Sequence, residues 1–514
     1  MGTKKETVDI DKDYVKKSLL MYNYFPMQRK EKEEMPPIFT SVDFKPEVAS
    51  KIKGSSCGKR NKGFDSIEYR LTRFNGVSRI CTIPHPKPYS DLVFCIAENW
   101  DKLNYIIENK NSLIRPKKHN GDDRIIIMNY EDKTEKTKKK LDMAFGCRFM
   151  VYTDISNFFP SLYTHTLCWT DSPIVVAKQR KSPLQKIDDS LQELNRCETH
   201  GVAIGPATSN IVSEAILAKI DEDLCKKYNY ERYIDDYTAY CKTEEDAQKF
   251  IKNLSAELNK YRLSLNINKT KIVALPTPYN DDWVTELLSN QIKDDKISVR
   301  DVTNYVSLLI NLSQKAPDGS VLKFGLKCLI NKLNANKIQH AVSDETVLCI
   351  FKNILNLSFY QPILLPLLNN EHFNSLIQDH LGNLNFKNKF GKILTTNIEH
   401  HRSDAVSWTL YYHYKYKIPV SDTNVKKIIE TKDCIPMLIL YFNSKKEKVI
   451  NFANDIIKNS DKDSDLYELD RYWLLLYELF RMEEINNPYG KNNTFDILKN
   501  QNVSFMKLDN EERK

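Results

Sequence analysis

The chain has 514 residues and a mass of 60.0 kDa, which exceeds what one hydrophobic core supports and predicts two or three domains. Its 76 Lys and Arg residues against 68 Asp and Glu residues give a net charge of +8, a mild excess that permits a polyanionic partner without requiring one. The eleven cysteines include no Cys-x-x-Cys pair, which argues against a secreted disulfide framework and against a zinc site.

The N-terminal stretch MGTKKETVDIDKDYVKK lacks the apolar segment of an export signal. Apolar runs such as MLILYF, residues 437–442, are far shorter than a membrane span. We therefore expect a cytoplasmic protein without a membrane partner.

The first informative segment, IRPKKHNGDDRIIIM at residues 114–128, predicts a basic β-hairpin. The Asn-Gly pair at 120–121 is a strong two-residue turn signal, and it places Lys117 and Lys118 on one arm and Arg124 on the other. Opposed cations of this kind can clamp a triphosphate. A solvated basic hairpin is the alternative interpretation.

Three carboxylates lie at the ends of predicted strands. The run FMVY before Asp154 predicts a buried strand, and RYIDDYTAY (232–240) predicts a hairpin with Asp235 and Asp236 at its tip. Adjacent carboxylates repel each other unless a cation offsets the repulsion. Two strands that end in Asp can hold two Mg²⁺ ions about 4 Å apart, as phosphoryl transfer requires. For any single Asp, a turn or cap role is the alternative.

Taken in order, these motifs resemble the palm of a reverse transcriptase. The matching segments are VYTDISNFFPSLYTH (151–165), HGVAIGPATSN (200–210), RYIDD (232–236) and LSLNINKTKI (263–272). The 114–128 hairpin is similar to the basic fingers hairpin of these enzymes. The resemblance implies that dNTPs are the substrates and that two Mg²⁺ ions, or Mn²⁺ in their place, are the cofactors. It implies that Asp154, Asp235 and the Ile155 carbonyl bind metal directly, with Asp236 as electrostatic support.

Three more residues take roles from the same resemblance. Phe159 matches the steric gate that excludes the ribose 2′-hydroxyl, which predicts DNA as the product; burial in the core is the alternative. Gly205 would let the backbone approach a nucleotide closely, although Ala203 and Ile204 stand where related enzymes have Pro-Gln. Lys269 matches a lysine that assists pyrophosphate departure, and an ordinary surface lysine is the alternative.

Beyond LPTPYNDDW (275–283), apolar residues at helical spacing predict an all-α region. Its helices recur at roughly forty residues, a spacing that resembles HEAT-type repeats, and an ordinary all-α domain is the alternative. We predict an α+β fold, with fingers and palm at residues 1–280 and a helical repeat-like domain at 281–514 in place of a thumb.

This architecture, with DISNFFPSLYTH (154–165) and RICTIPHP (79–86), resembles the abortive-infection reverse transcriptases: the AbiK and AbiA group and its relative carried on P2-like prophages. The resemblance implies antiphage defence, homo-oligomers, and untemplated, protein-primed synthesis of single-stranded DNA that stays covalently attached. Two alternatives stay open. One is an enzyme that copies a partner non-coding RNA, and the other is a helical binding scaffold with a silent palm.

Overall fold

The structure is a computed structural model that describes residues 10–58, 63–73, 77–128, 133–292, 296–317, 320–335, 342–380, 384–443, 445–460, 466–491 and 493–507. Its strands form two antiparallel sheets, and all of them precede residue 275. The strands are β1 (Ser66–Leu71), β2 (Arg79–Pro84), β3 (Phe149–Asp154), β4 (Asn229–Tyr233), β5 (Asp236–Cys241) and β6 (Lys271–Ala274). β1 and β2 form a separate hairpin, and the other four form one sheet in the order β4-β5-β3-β6.

The four-stranded sheet is built around β3, which the sequence correctly predicts to end at Asp154. β3 pairs with β5 and β6, and its central residues Met150 and Val151 are fully buried. The helix α10 (Glu244–Lys260) packs on β3 and β5 through apolar residues at helical spacing, including Phe250 and Leu254. Its start is capped by the Thr243 hydroxyl, which accepts a hydrogen bond from the Asp246 N–H.

Helices fill the remainder of the first 280 residues. They are α1 (Lys12–Met21), α2 (Pro46–Lys53), α3 (Pro86–Glu98), α4 (Trp100–Leu103), α5 (Lys133–Ala144), α6 (Phe158–Ser161), α7 (Ile174–Lys178), α8 (Gln185–Glu193) and α9 (Ala207–Leu224). Short 3-10 helices span Asn104–Glu108, Thr164–Thr170 and Ile267–Lys269. α9 is buried on almost all its faces, which explains why its sequence shows little helical amphipathicity.

The described residues after 281 are helical, as the apolar spacing predicts. The helices are α11 (Asp282–Ser289), α12 (Val299–Lys315), α13 (Val321–Ala335), α14 (Asp344–Tyr360), α15 (Glu371–His380), α16 (Leu384–Glu399), α17 (Ser403–Lys415), α18 (Asp422–Thr431), α19 (Cys434–Phe442), α20 (Lys446–Asn459), α21 (Leu466–Arg471), α22 (Trp473–Arg481) and α23 (Thr494–Asn500). A 3-10 helix spans Pro362–Leu368. Whether these helices form HEAT-type repeats stays a prediction.

The helical region packs back onto the β1–β2 hairpin. α17, α19 and α21 all contact β1. The Asp404 carboxylate accepts hydrogen bonds from the Thr72 N–H and hydroxyl at 2.8 and 2.7 Å, and the Trp473 indole donates to the Ile83 carbonyl at 3.1 Å. Both ends of the hairpin are therefore held by residues more than 300 positions later in the chain.

The last described residues also return to the N-terminal segment. The Thr40 N–H donates to the Phe505 carbonyl at 2.9 Å, and the Lys507 N–H donates to the Ile38 carbonyl at 2.7 Å. Phe505 is fully buried among aromatic rings that include Tyr24, Phe44 and Trp473. In the described part of the chain, no helix has both the length and the apolar character that a bilayer crossing requires.

Candidate active site

Three carboxylates meet at one end of the four-stranded sheet. Asp154 closes β3 and Asp236 opens β5, and their α-carbons are directly paired in the antiparallel register. Asp235 lies in the turn between β4 and β5, and its carbonyl accepts a hydrogen bond from the Ile155 N–H at 3.1 Å. The sheet thus brings together side chains that stand about eighty residues apart in the sequence, as the strand pattern predicts.

The turn that carries Asp235 has a strained backbone. β4 ends at Tyr233 and β5 begins at Asp236, so the acidic turn consists of residues 234 and 235. Ile234 has φ +56° and is buried. A β-branched residue in this region costs about 1–2 kcal/mol, and tight hairpin turns normally place Gly or Asn there. Surrounding contacts must hold this conformation.

The pKa values of Asp235 and Asp236 are both raised in the metal-free protein. Burial, followed by the charges of Asp236 and Asp154, raises the pKa of Asp235 to about 7. Partial desolvation and the Asp154 charge also raise the pKa of Asp236, although the residue is exposed at the surface. A site that holds this much unneutralised negative charge favours a cation.

Lys269 supplies one positive charge to this site. Its ammonium forms an ion pair with Asp154 Oδ2, and this contact raises the pKa of the lysine. The 3-10 helix that carries Lys269 is anchored nearby, because the Asn266 N–H donates to the Asp154 carbonyl at 2.7 Å. Lys269 is therefore more than a solvated surface lysine, whereas its role in pyrophosphate departure stays a prediction.

The donor set fits Mg²⁺ or Mn²⁺. Asp154 is buried, and its Oδ1 atom has no hydrogen-bond partner among the described residues; such an orphaned carboxylate oxygen is a ready ligand for a hard cation. Among the described residues, no group of three or more His, Cys, Asp or Glu side chains is placed to hold a metal ion without further ligands. Mg²⁺ commonly binds one or two carboxylates and completes its shell with water and substrate phosphates. Asp154 and Asp235 are two carboxylates of this kind, and metal binding by them and by the Ile155 carbonyl stays a prediction.

Phe159 lies within the predicted 151–165 motif, five residues after Asp154. Phe158 is buried in the core, whereas Phe159 is only partly buried and its ring packs 5.2 Å from that of Phe158. The Phe159 carbonyl accepts a hydrogen bond from the Val202 N–H at 3.1 Å, which ties the residue to the 200–206 loop. Phe159 is thus the less buried of the two phenylalanines, and its role as a steric gate stays a prediction.

Tight packing within the protein requires a glycine at position 205. Its φ is +143°, and a Cβ at this position would lie 3.0 Å from the Thr82 carbonyl oxygen and 3.1 Å from Pro26. The Gln28 side-chain amide donates to the Gly205 carbonyl. Close approach of protein therefore explains this glycine, and its contact with a nucleotide stays a prediction.

The predicted role of Arg124 in nucleotide binding is wrong. Its side chain is fully buried and donates hydrogen bonds to Asp122 and to the carbonyls of Met27, Arg29 and Lys30. A guanidinium with these partners is unavailable to a triphosphate. Arg124 instead holds the 27–30 segment in place, which sets Gln28 against Gly205.

Only the turn of the predicted basic hairpin forms. Gly121 has φ +73°, and His119 and Asp122 make a single antiparallel bridge instead of two extended arms. Lys117 and Lys118 are exposed, and the Lys118 ammonium lies 5.0 Å from the centre of the Tyr14 ring. Phosphate contacts by these lysines stay a prediction.

One further cation, Arg73, lies within electrostatic reach of Asp235. Burial lowers the pKa of Arg73, the charges of Arg79 and Arg29 lower it further, and the charge of Asp235 opposes them. Arg73 and Arg79 flank the β1–β2 connection and are exposed. Sequence reasoning missed them, yet a signal exists: the segment RFNGVSR (73–79) has the same Asn-Gly pair between cations as the 114–128 segment.

One family model matches part of this chain. Residues 114–299, which include the three carboxylates, match the family model described as reverse transcriptase (RNA-dependent DNA polymerase). The comparison with curated proteins finds no match.

The solved structures similar to this chain include three structures of telomerase from two Candida species. Telomerase from Candida tropicalis with the TWJ fragment of telomeric RNA is 11% identical, with a TM-score of 0.32 over 80% of this chain and 68% of that one. Telomerase from Candida albicans with the TWJ fragment is 11% identical, with a TM-score of 0.31 over 70% of this chain and 65% of that one. Apo telomerase from Candida tropicalis is 11% identical, with a TM-score of 0.31 over 79% and 72%.

Proposed function

We propose that this chain, which contains a reverse transcriptase domain and is a nucleotidyltransferase of the RNA-directed DNA polymerase type, adds deoxynucleotides to a growing DNA strand at Asp154, Asp235 and Asp236. One observation carries the proposal. Asp154 and Asp236 are paired across adjacent strands with Asp235 beside them, and an unpartnered Asp154 oxygen is available to a divalent cation.

Each side chain of the site has a role in this reaction. Asp154, Asp235 and the Ile155 carbonyl hold two Mg²⁺ ions, and Asp236 adds negative charge beside them. When bound, the ions lower the pKa of the attacking 3′-hydroxyl and neutralise the triphosphate. Lys269, which is protonated at neutral pH as an ordinary lysine is, pairs with Asp154 and stands there to donate to the departing pyrophosphate.

Substrate selection follows from two further contacts. Arg73 and Arg79 are the cations that we assign to the triphosphate, because Arg73 lies within electrostatic reach of Asp235. The partly exposed ring of Phe159 is the group that we assign to exclusion of the ribose 2′-hydroxyl, so that dNTPs are the substrates and DNA is the product.

The motif resemblance supports a more specific proposal: antiphage defence by a cytoplasmic homo-oligomer of the abortive-infection type. DNA synthesis is then untemplated and begins on a protein hydroxyl, so the single-stranded product stays attached to the chain. Residues 281–514, as a HEAT-like domain, replace the thumb. An enzyme that copies a non-coding RNA is the second candidate, because the matched family model describes RNA-dependent synthesis.

Incubation of the purified protein with each dNTP or NTP and Mg²⁺, followed by denaturing gels with and without protease, tests the proposal. We expect dNTP-dependent products whose mobility increases after proteolysis. Products that appear only with added RNA and carry its complementary sequence would favour the second candidate. Nucleic-acid binding without incorporation of any nucleotide would favour the helical scaffold.

A further inference from the structure

Arg232 is a completely buried arginine two residues before the acidic turn. All five of its N–H groups are used. They donate to Asp221 at 3.1 and 2.8 Å, to Glu214 at 2.8 and 3.0 Å, and to the Ile234 carbonyl at 2.9 Å. Because a guanidinium has five such donors in a rigid fork, its position and orientation are fully determined by these partners.

Two of those partners come from one helix. Glu214 and Asp221 are seven residues apart on α9, so they project from the same face two turns apart. Asp221 also accepts hydrogen bonds from the Tyr230 hydroxyl and the Asn109 side-chain amide, both at 2.8 Å. The frame that orients Arg232 is therefore as rigid as the packed helix itself.

The third partner is the strained residue. The Ile234 carbonyl receives the Arg232 hydrogen bond, and the next carbonyl, that of Asp235, receives one from the Ile155 N–H. Ile234 has φ +56°, a conformation that isoleucine leaves unless other contacts hold it. Arg232 and Ile155 thus each hold one of the two residues of the acidic turn by a hydrogen bond to its carbonyl.

Fold stability alone gives a weak reason for this arrangement. Buried ion pairs add little stability compared with apolar residues of similar volume, because desolvation offsets their attraction. An apolar residue at position 232 would fill the space but would leave the Ile234 carbonyl unheld. The contact that only a buried donor can make is the one to the acidic turn.

We propose that Arg232 is a positioning residue that holds the Asp235 carboxylate in its metal-binding place by fixing the strained Ile234 backbone. The inference rests on the proposed function, since it assumes that Asp235 binds the metal. Arg232→Lys keeps the positive charge but removes the planar guanidinium, and with it the hydrogen bond to the Ile234 carbonyl. Ile234→Gly removes the strain, because glycine adopts positive φ without cost.

The test is Mn²⁺ binding to nucleotide-free protein, followed by electron paramagnetic resonance. We expect Arg232→Lys to raise the dissociation constant by about 10- to 100-fold, as loss of support behind a ligand does. We expect Ile234→Gly alone to bind like the unaltered protein, and Arg232→Lys with Ile234→Gly to recover to within about threefold. Arg481→Lys, which alters another arginine paired with a buried glutamate, Glu478, is the control and should bind normally.

The variants with Ile234→Gly distinguish a role of Arg232 in positioning the turn from a role in stabilising the fold. If Arg232 only stabilised the fold, added glycine would not restore metal binding. Unchanged Mn²⁺ affinity in Arg232→Lys, or no recovery in the double variant, overturns the inference. If Arg232→Lys does not fold, Glu214→Gln decides: weakened Mn²⁺ binding supports the inference and unchanged binding overturns it. If Mn²⁺ binds as expected and no nucleotide is incorporated, the proposed function fails and the positioning role stands.

Discussion

Asp235 holds its proton up to about neutral pH in the metal-free protein, because burial and two neighbouring carboxylates raise its pKa to about 7. A metal ion must displace that proton, so metal binding and deprotonation are coupled. The effect on stability has a definite sign. Because the pKa of Asp235 is higher in the folded than in the unfolded protein, its ionisation destabilises the folded state. This destabilisation is absent below about pH 4, the unfolded pKa, and complete above about pH 7, the folded pKa.

We therefore predict that Mn²⁺ binding tightens about tenfold between pH 6 and 8 and levels off above about pH 8. Asp235→Asn should remove this pH dependence and, without metal, stabilise the protein by roughly 1–2 kcal/mol at pH 8. Metal titrations and thermal melts over this range measure both effects. Affinity that is flat across pH 6 to 8 would mean that no proton is displaced.

Phe159 is the residue from which we predict sugar selection. Its side chain is only partly buried, so truncation to Ala costs the core less than loss of a fully buried ring would. We predict that Phe159→Ala increases ribonucleotide incorporation relative to deoxynucleotide incorporation by about 10-fold or more. Phe158→Ala, which removes a buried ring, is the comparison and should lower stability instead. Unchanged sugar selection in Phe159→Ala would remove this residue from the role.

At the scale of elements, two Asn-Gly segments compete for the role of triphosphate clamp. The segment at 114–128 is the one that the sequence suggests, but its Arg124 is buried and its Lys118 lies over Tyr14. The β1–β2 hairpin instead carries Arg73, which is close enough to Asp235 to respond to its charge. The hairpin is also held in place, through the hydrogen bonds between Thr72 and Asp404.

We predict that Arg79→Gln raises the KM for dNTPs by about tenfold, since it removes a charge-assisted contact to phosphate. Lys118→Gln removes an exposed cation of the other segment and should leave the KM within about twofold. Steady-state incorporation kinetics measure both variants. A raised KM in Lys118→Gln with an unchanged KM in Arg79→Gln would instead assign triphosphate binding to Lys117 and Lys118.

The elements differ in how far local sequence determines them. The strand before Asp154, the acidic turn and the turn at 120–121 follow from patterns a few residues long, and they form as predicted. The burial of Arg124 does not follow from a local pattern, because its partners include carbonyls of residues 27–30, about a hundred positions earlier. A basic residue next to a turn looks the same in sequence whether it meets solvent, phosphate or a buried carbonyl.

At the scale of the molecule, the helical region and the N-terminal segment share one core. The Trp408 indole donates to the Glu33 carbonyl at 3.1 Å, and Phe505 packs against Tyr24 and Trp473 at ring separations of 6.0 and 5.3 Å. Helical spacing predicts these helices one by one. It carries no information about which distant surface each helix covers, so the return onto β1 could not be predicted from the sequence.

Because this core joins the two ends of the chain, we predict that Phe505→Ala destabilises the whole protein by about 3–5 kcal/mol. Urea denaturation followed by fluorescence measures the change. Phe145→Ala is the matched control, since Phe145 is 91% exposed and its loss should cost less than about 0.5 kcal/mol. Equal effects of the two variants would show that residues 493–507 contribute little to the common core.

The most direct test of the polymerase assignment is incorporation of labelled dNTP by Asp235→Asn at saturating Mg²⁺. We predict that incorporation falls to the background of a heat-inactivated sample while the variant melts at or above the temperature of the unaltered protein. Asp223→Asn, which changes an exposed carboxylate on α9 paired with Lys226, should incorporate normally. Normal incorporation by folded Asp235→Asn would contradict the assignment of the site to these carboxylates.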